Sequence, residues 1–139
     1  MRKIALFIGI LLYAVQLQAA QPSVDVKEPW MRAPIGKASV TTAYGVLSDV
    51  SGQGDTLTAV EPVNGGTASL HETTSDNGIM RMRSVETLSI PAGGEVALKP
   101  GGIHIMLMDV PSGLRKGDTL PLRLRFKRQG DVVINFSVR

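Results

Sequence analysis

Four side chains in this sequence have types and spacings that point to metal chemistry: His71, Met82, His104 and Met106. The chain has two histidines, six methionines and no cysteine. Ten residues separate His71 from Met82, twenty-one separate Met82 from His104, and Met106 follows His104 at i+2. An i, i+2 pair on a strand shares one face, and strand pairing can bring the two more distant donors to it. Two neutral imidazoles and two thioethers form a soft, uncharged set that suits Cu(I) or silver(I). Zinc generally recruits thiolate, carboxylate or more imidazole, and calcium or magnesium wants oxygen. Methionines otherwise serve as core filler, and packing is the preferred reading of Met80 and Met108, although they share strand parity with Met82 and Met106. Glu72 and Asp109 stand beside candidate ligands, where a solvated or supporting role is expected rather than direct binding.

The elements that must position these residues read as strands. Short runs rich in valine, threonine and leucine lie at 38–50, 55–63, 66–74, 78–86, 94–100, 102–110, 119–128 and 131–138. Glycine, proline, asparagine and aspartate separate them, and no stretch has a convincing helical period. Such spacing predicts an all-β sandwich or barrel. In "KPGGIH" the glycines predict a tight turn that delivers His104 to the mouth of the site. Arg123, Arg125 and Lys127 alternate with Leu122, Leu124 and Phe126, as expected of a strand with one solvated face. Trp30, the single tryptophan, is expected to anchor the core. The ligands are expected at strand ends, in a shallow site near the surface.

Residues 1–20 read as a secretory signal peptide. Arg2 and Lys3 form a basic start, Ile4 to Val15 an apolar centre, and Ala19 or Ala20 a small residue at the cleavage position. Residues 21–139 then form one domain, a usual size for a single core. Removal of Arg2 and Lys3 lowers the 15 basic residues to 13 against 12 acidic ones, a net charge of +1. That balance argues against a nucleic-acid partner. No stable membrane insertion is expected after signal removal, and a monomer is expected. The lack of cysteine removes disulfides, thiolate catalysis, lipidation next to the signal and a blue-copper centre. Catalysis finds no support either: "HETTS" has serine where a zinc-protease helix needs its second histidine, and no G-x-S-x-G elbow occurs.

The pattern H-x10-M-x21-H-x-M, with "LHETT", "MRMR", "IPAGGEVALKPGGIHIMLMDV" and "GDTLPLRLRF", resembles the PCuAC-type periplasmic copper chaperones, also called the DUF461 family. The resemblance runs from about Trp30 to the C-terminus and departs at none of the four donor positions. It implies a cupredoxin-like Greek-key β-sandwich with His71, Met82, His104 and Met106 holding one Cu(I). It further implies delivery of that ion during assembly of the copper centre of a cytochrome c oxidase, to an oxidase copper domain or another copper chaperone. Periplasmic copper sequestration or tolerance, without a dedicated oxidase acceptor, is the alternative.

Overall fold

The computed structural model describes residues 22–139, so the signal-peptide expectation for 1–20 lies outside the described residues. The described residues form ten strands: β1 (Val24–Met31), β2 (Thr41–Asp49), β3 (Asp55–Pro62), β4 (Thr67–Asp76), β5 (Ile79–Val85), β6 (Leu88–Ile90), β7 (Glu95–Leu98), β8 (Ile103–Met108), β9 (Thr119–Phe126) and β10 (Gly130–Val138). Alternation drives them. Along β9, Leu120, Leu122, Leu124 and Phe126 are buried. Arg123 and Arg125 turn outward to Glu61 at 2.8 Å and Asp131 at 2.9 Å, the solvated face that the sequence predicts.

Hydrogen bonding links the strands in the order β5-β4-β8-β2-β1-β10-β9-β3-β6, with β7 also on β2. Neighbours such as β4–β8 and β1–β10 are far apart in sequence, so long connections return the chain in Greek-key fashion. β1 is the hinge of this path. It runs antiparallel to β2, shifts register between Lys27 and Trp30, and ends parallel to β10 at Trp30↔Ser137 and Met31↔Val138. Glu28 has φ 49°, so the bulge re-aims the strand from one layer to the other. The two layers close on one core, to which Ala43, Leu47, Leu70, Ile105 and Leu107 contribute from one side and Leu57, Leu122, Leu124, Phe126 and Phe136 from the other. Each such leucine or phenylalanine stabilises the fold by roughly 1.5–3 kcal/mol through the apolar area it buries.

Two strands, β1 and β6, lie outside the runs read as strands in the sequence. The bulge breaks the alternation of β1, and β6 spans only three residues. Trp30 also departs from expectation, because Met31 takes the inward position on β1. Trp30 lies on the outer face, its ring 4.7 Å from that of Tyr44, with the Arg139 guanidinium 5.3 Å above it.

Two carboxylates fasten the end of the sandwich away from this face. Asp49 accepts hydrogen bonds from the Ser51 amide and hydroxyl and from the Gly54 and Gly93 amides, at 2.7–3.1 Å. Asp55 accepts from the Ser23 hydroxyl and from the amides of Thr56, Arg128 and Gln129, at 2.7–3.0 Å.

Candidate metal centre

The site is built on three neighbouring strands, with β4 in the middle. On one side His71 of β4 opposes His104 of β8, Ser69 opposes Met106, and Thr67 opposes Met108. On the other side His71 opposes Ser84 of β5, Thr73 opposes Met82, and Ser75 opposes Met80. Directly opposed residues of antiparallel strands project to the same face. All four candidate donors therefore share one face of the β5-β4-β8 sheet, and the opposite face carries Leu70, Ile105 and Leu107 into the core. That division accounts for a strand that is aliphatic at Ile103, Ile105 and Leu107 yet carries an imidazole and two thioethers between them.

The turn before β8 sets His104. Gly101 has φ 80°, in the left-handed region that glycine tolerates. The Gly102 amide donates to the Lys99 carbonyl at 3.0 Å, and the Gly102 carbonyl accepts from the Thr73 amide at 3.1 Å. That same carbonyl lies 3.0 Å from His104 Nδ1. A carbonyl only accepts, so Nδ1 carries the proton and Nε2 keeps its lone pair. His104 is only 4% exposed, and Nε2 has no hydrogen-bond partner. A buried polar atom left unpaired costs about 1–3 kcal/mol, so an ion at Nε2 relieves a cost already present in the fold. His104 is thus the floor of the site, not its mouth, as the turn alone suggested.

The His71 and His104 rings lie 6.2 Å apart, centre to centre, and within 22° of parallel. Two imidazoles that share an ion through bonds of roughly 2 Å have ring centres about 6 Å apart at most, so this pair stands at the outer limit of a shared site. His71 is half-buried, and its Nε2 lies 2.8 Å from the Ser69 hydroxyl. Met106, half-buried, lies opposite Ser69 on one side and Thr42 of β2 on the other. Met82 is 54% exposed and sits one row along from His71, a diagonal of about 7–8 Å that a long side chain spans. The donors therefore run from a buried floor to an exposed rim. Only His104 stands beside a strand end; the other three lie within their strands, which corrects the expectation that the ligands sit at strand ends.

Glu72 faces away from His71, with its carboxylate 2.6 Å from Arg83, and Asp109 is exposed just beyond β8. Neither joins the donor set. Among the described residues no group of three or more histidine, aspartate or glutamate side chains gathers, so thioether is the donor at hand. Sequence reasoning missed Ser69, Thr42 and Tyr44. Ser69 shares parity with His71, which was a usable signal. The Thr42 and Tyr44 hydroxyls, 2.7 Å apart, reach this face only because β2 pairs with β8.

The fold is that of a cupredoxin-like domain of the PCuAC type. The chain belongs to the family described as "Putative lipoprotein LpqE-like", which matches residues 24–138. It is 33% identical over 133 residues to "Putative lipoprotein Lxx21020" of Leifsonia xyli subsp. xyli, covering 88% of this chain and 77% of that one. The copper-bound PCuAC domain from PmoF2 superposes with a TM-score of 0.71 at 21% identity, covering 87% of this chain and 96% of that domain. The Cu(I) form of DR1885 from Deinococcus radiodurans superposes with a TM-score of 0.63 at 26% identity, covering 86% and 80%.

Proposed function

We propose that this protein binds one Cu(I) through His71, Met82, His104 and Met106 and passes it to an acceptor. In this reading the chain is exported to the periplasm by residues 1–20, acts as a monomer, and serves assembly of the copper centre of a cytochrome c oxidase. It carries an ion and catalyses no reaction. The observation that supports the reading best is the buried, unpartnered Nε2 of His104 on a face whose other donors are one imidazole and two thioethers. The names of the structural relatives, copper-bound and Cu(I)-bound, agree with that donor set.

The residues divide the work. His104, held through Nδ1 by the Gly102 carbonyl, offers a fixed lone pair that needs no reorientation on loading. His71 supplies a second nitrogen from the paired strand. Met106 and Met82 add sulfur from flexible side chains that swing in and out without crossing the core. Since every donor is neutral in its binding form, exchange with an acceptor moves the ion without building charge on the protein. Sequestration needs the same donors but no acceptor, so transfer is the deciding measurement. The protein loaded with Cu(I) is mixed with an apo oxidase copper domain, and the copper in each is followed. Transfer close to completion is expected, with none from a His71→Ala/His104→Ala variant. Copper retained by the loaded protein in the presence of excess acceptor would make it a store.

A further inference from the structure

The donor face extends beyond the four candidate ligands. Along β4, five successive outward rows, at Ser75, Thr73, His71, Ser69 and Thr67, are flanked by Met80, Met82, His104, Met106 and Met108. A row recurs about every 6.7 Å, so soft donors form a line about 27 Å long across the sheet. Met80 stands two rows from His71, about 13 Å along β4, too far to share an ion with His104. It is one row from Met82, on the same strand and face.

The two ends of the line differ. Pairing of β8 with β4 stops at Ile103↔Glu72, so beyond that point β4 and β5 form a two-stranded arm. Met80 on this arm is 64% exposed and has no place in the core. At the other end Met108 is 44% exposed, and the chain at Gly66 presses close against it. A Cβ on Gly66 would lie 2.6 Å from the Met108 carbonyl oxygen and 2.8 Å from that of Asp109. One end is a free hairpin arm, and at the other the backbone at Gly66 packs against the end of β8.

The geometry points to Met80 and Met82 as an outer two-thioether station for Cu(I), through which the ion leaves the histidine pair and meets its acceptor. This rests on the copper reading above and adds a route to it. Met82 belongs to both stations. As its sulfur keeps hold of the ion, the bonds to His104, His71 and Met106 break, a bond to the Met80 sulfur forms, and a soft donor of the acceptor completes the coordination. The ion stays Cu(I) throughout, and every protein donor is neutral before and after, so no electron or proton is needed.

The test compares Met80→Leu with Met108→Leu in the full mature protein. Cu(I) affinity is measured by competition with a chelator, transfer to a bidentate Cu(I) chelator by stopped flow, and the methionine methyl signals by NMR at half-loading with Cu(I). Met80→Leu is expected to keep the wild-type affinity and one-to-one stoichiometry while transfer slows about tenfold, the lower end of what disturbing a metal's surroundings usually does. Met108→Leu should change neither. In the wild type the Met80 methyl should broaden together with that of Met82. Wild-type transfer in Met80→Leu, or a Met80 methyl that ignores the ion, overturns the outer station and leaves the four-donor site standing. Undiminished binding in His71→Ala/His104→Ala overturns the four-donor site itself, and the station with it.

Discussion

At the scale of single residues, the proposed copper reading gives His104 and Met82 different parts on one face, holding and release. His104 is buried and held by the Gly102 carbonyl, so its contribution is fixed before an ion arrives. Met82 is exposed and flexible, so its contribution is made and lost without disturbing the fold. Leucine matches methionine in volume, and exposed changes of this kind usually stay within about 0.5 kcal/mol. Met82→Leu should therefore leave the melting temperature of the apo protein where it is. It should weaken Cu(I) binding by about tenfold or more while Cu(II) binding falls much less, because the harder ion prefers nitrogen and oxygen. Paired titrations of the two oxidation states against competing chelators decide it, and equal losses for both would remove the thioether from the site.

Among the elements, the β4–β5 hairpin is the one whose stability is separable from that of the sandwich. Its two-residue connection, Asn77-Gly78, has φ of 49° and 80° and joins Asp76 to Ile79 in the I′ manner that matches strand twist. Nothing lies within 4 Å of a Cβ built on Gly78, so Gly78→Ala adds backbone strain alone, about 1 kcal/mol. Hydrogen exchange should accelerate at β5 amides and stay unchanged in β9 and β10. On the proposed copper reading, Cu(I) should restore much of the β5 protection, since Met82 would then tie the arm to His71. Uniform acceleration across the chain would mean that the hairpin is not a separate unit.

Most strands were legible in the sequence because period-two alternation ended at glycine, asparagine or proline. Pairing was not legible, since nothing local in "LHETT" says that it lies between "MRMR" and "IHIMLM". The four candidate donors were legible by residue type and spacing, and the pairing of β4 with β5 and β8 puts them on one face. The gradient from buried His104 to exposed Met82 was not, because it depends on which neighbouring strands cover each row.

For the molecule as a whole, carboxylates set the acid limit. Hydrogen bonds from the Gly93 amide, the Ser51 hydroxyl and amide and the Gly54 amide hold the Asp49 carboxyl far below the usual range, overcoming the opposing effect of its burial. For Asp55 burial pushes upward, but the Ser23 hydroxyl and the Arg128, Thr56 and Gln129 amides together win and lower it. The Arg125 guanidinium lowers Asp131 as well. A carboxyl depressed in the folded state contributes stability that is complete above its unfolded value, near about 4, and is lost as pH falls through its lower folded value. Apo protein melts should thus show no loss from these groups between about pH 7 and 5 and a steep decline below about 4. Asp49→Asn should melt lower at pH 7 and decline less steeply in acid; an unchanged acid limb would take Asp49 out of the account.

The continuous hydrogen-bonded path through the hinge at β1 has one more consequence, in the number of free borders. Two separate sheets would present four long rims of unpaired backbone. Joining them leaves, among the described residues, three strands with a single neighbour: β5 with seven residues, β7 with four and β6 with three. The longest of these three is the outer side of the strand that carries Met80 and Met82. Unpaired rims invite strand-to-strand association, and Arg81 and Arg83 put charge on this one, as proteins do to discourage it. A visiting strand that did pair there would run about 4.8 Å from the backbone that carries both thioethers. On the proposed outer-station reading, self-association and cargo hand-over would compete for the same seven residues of backbone, and a molecule that polymerised along this border would also have sealed its own exit.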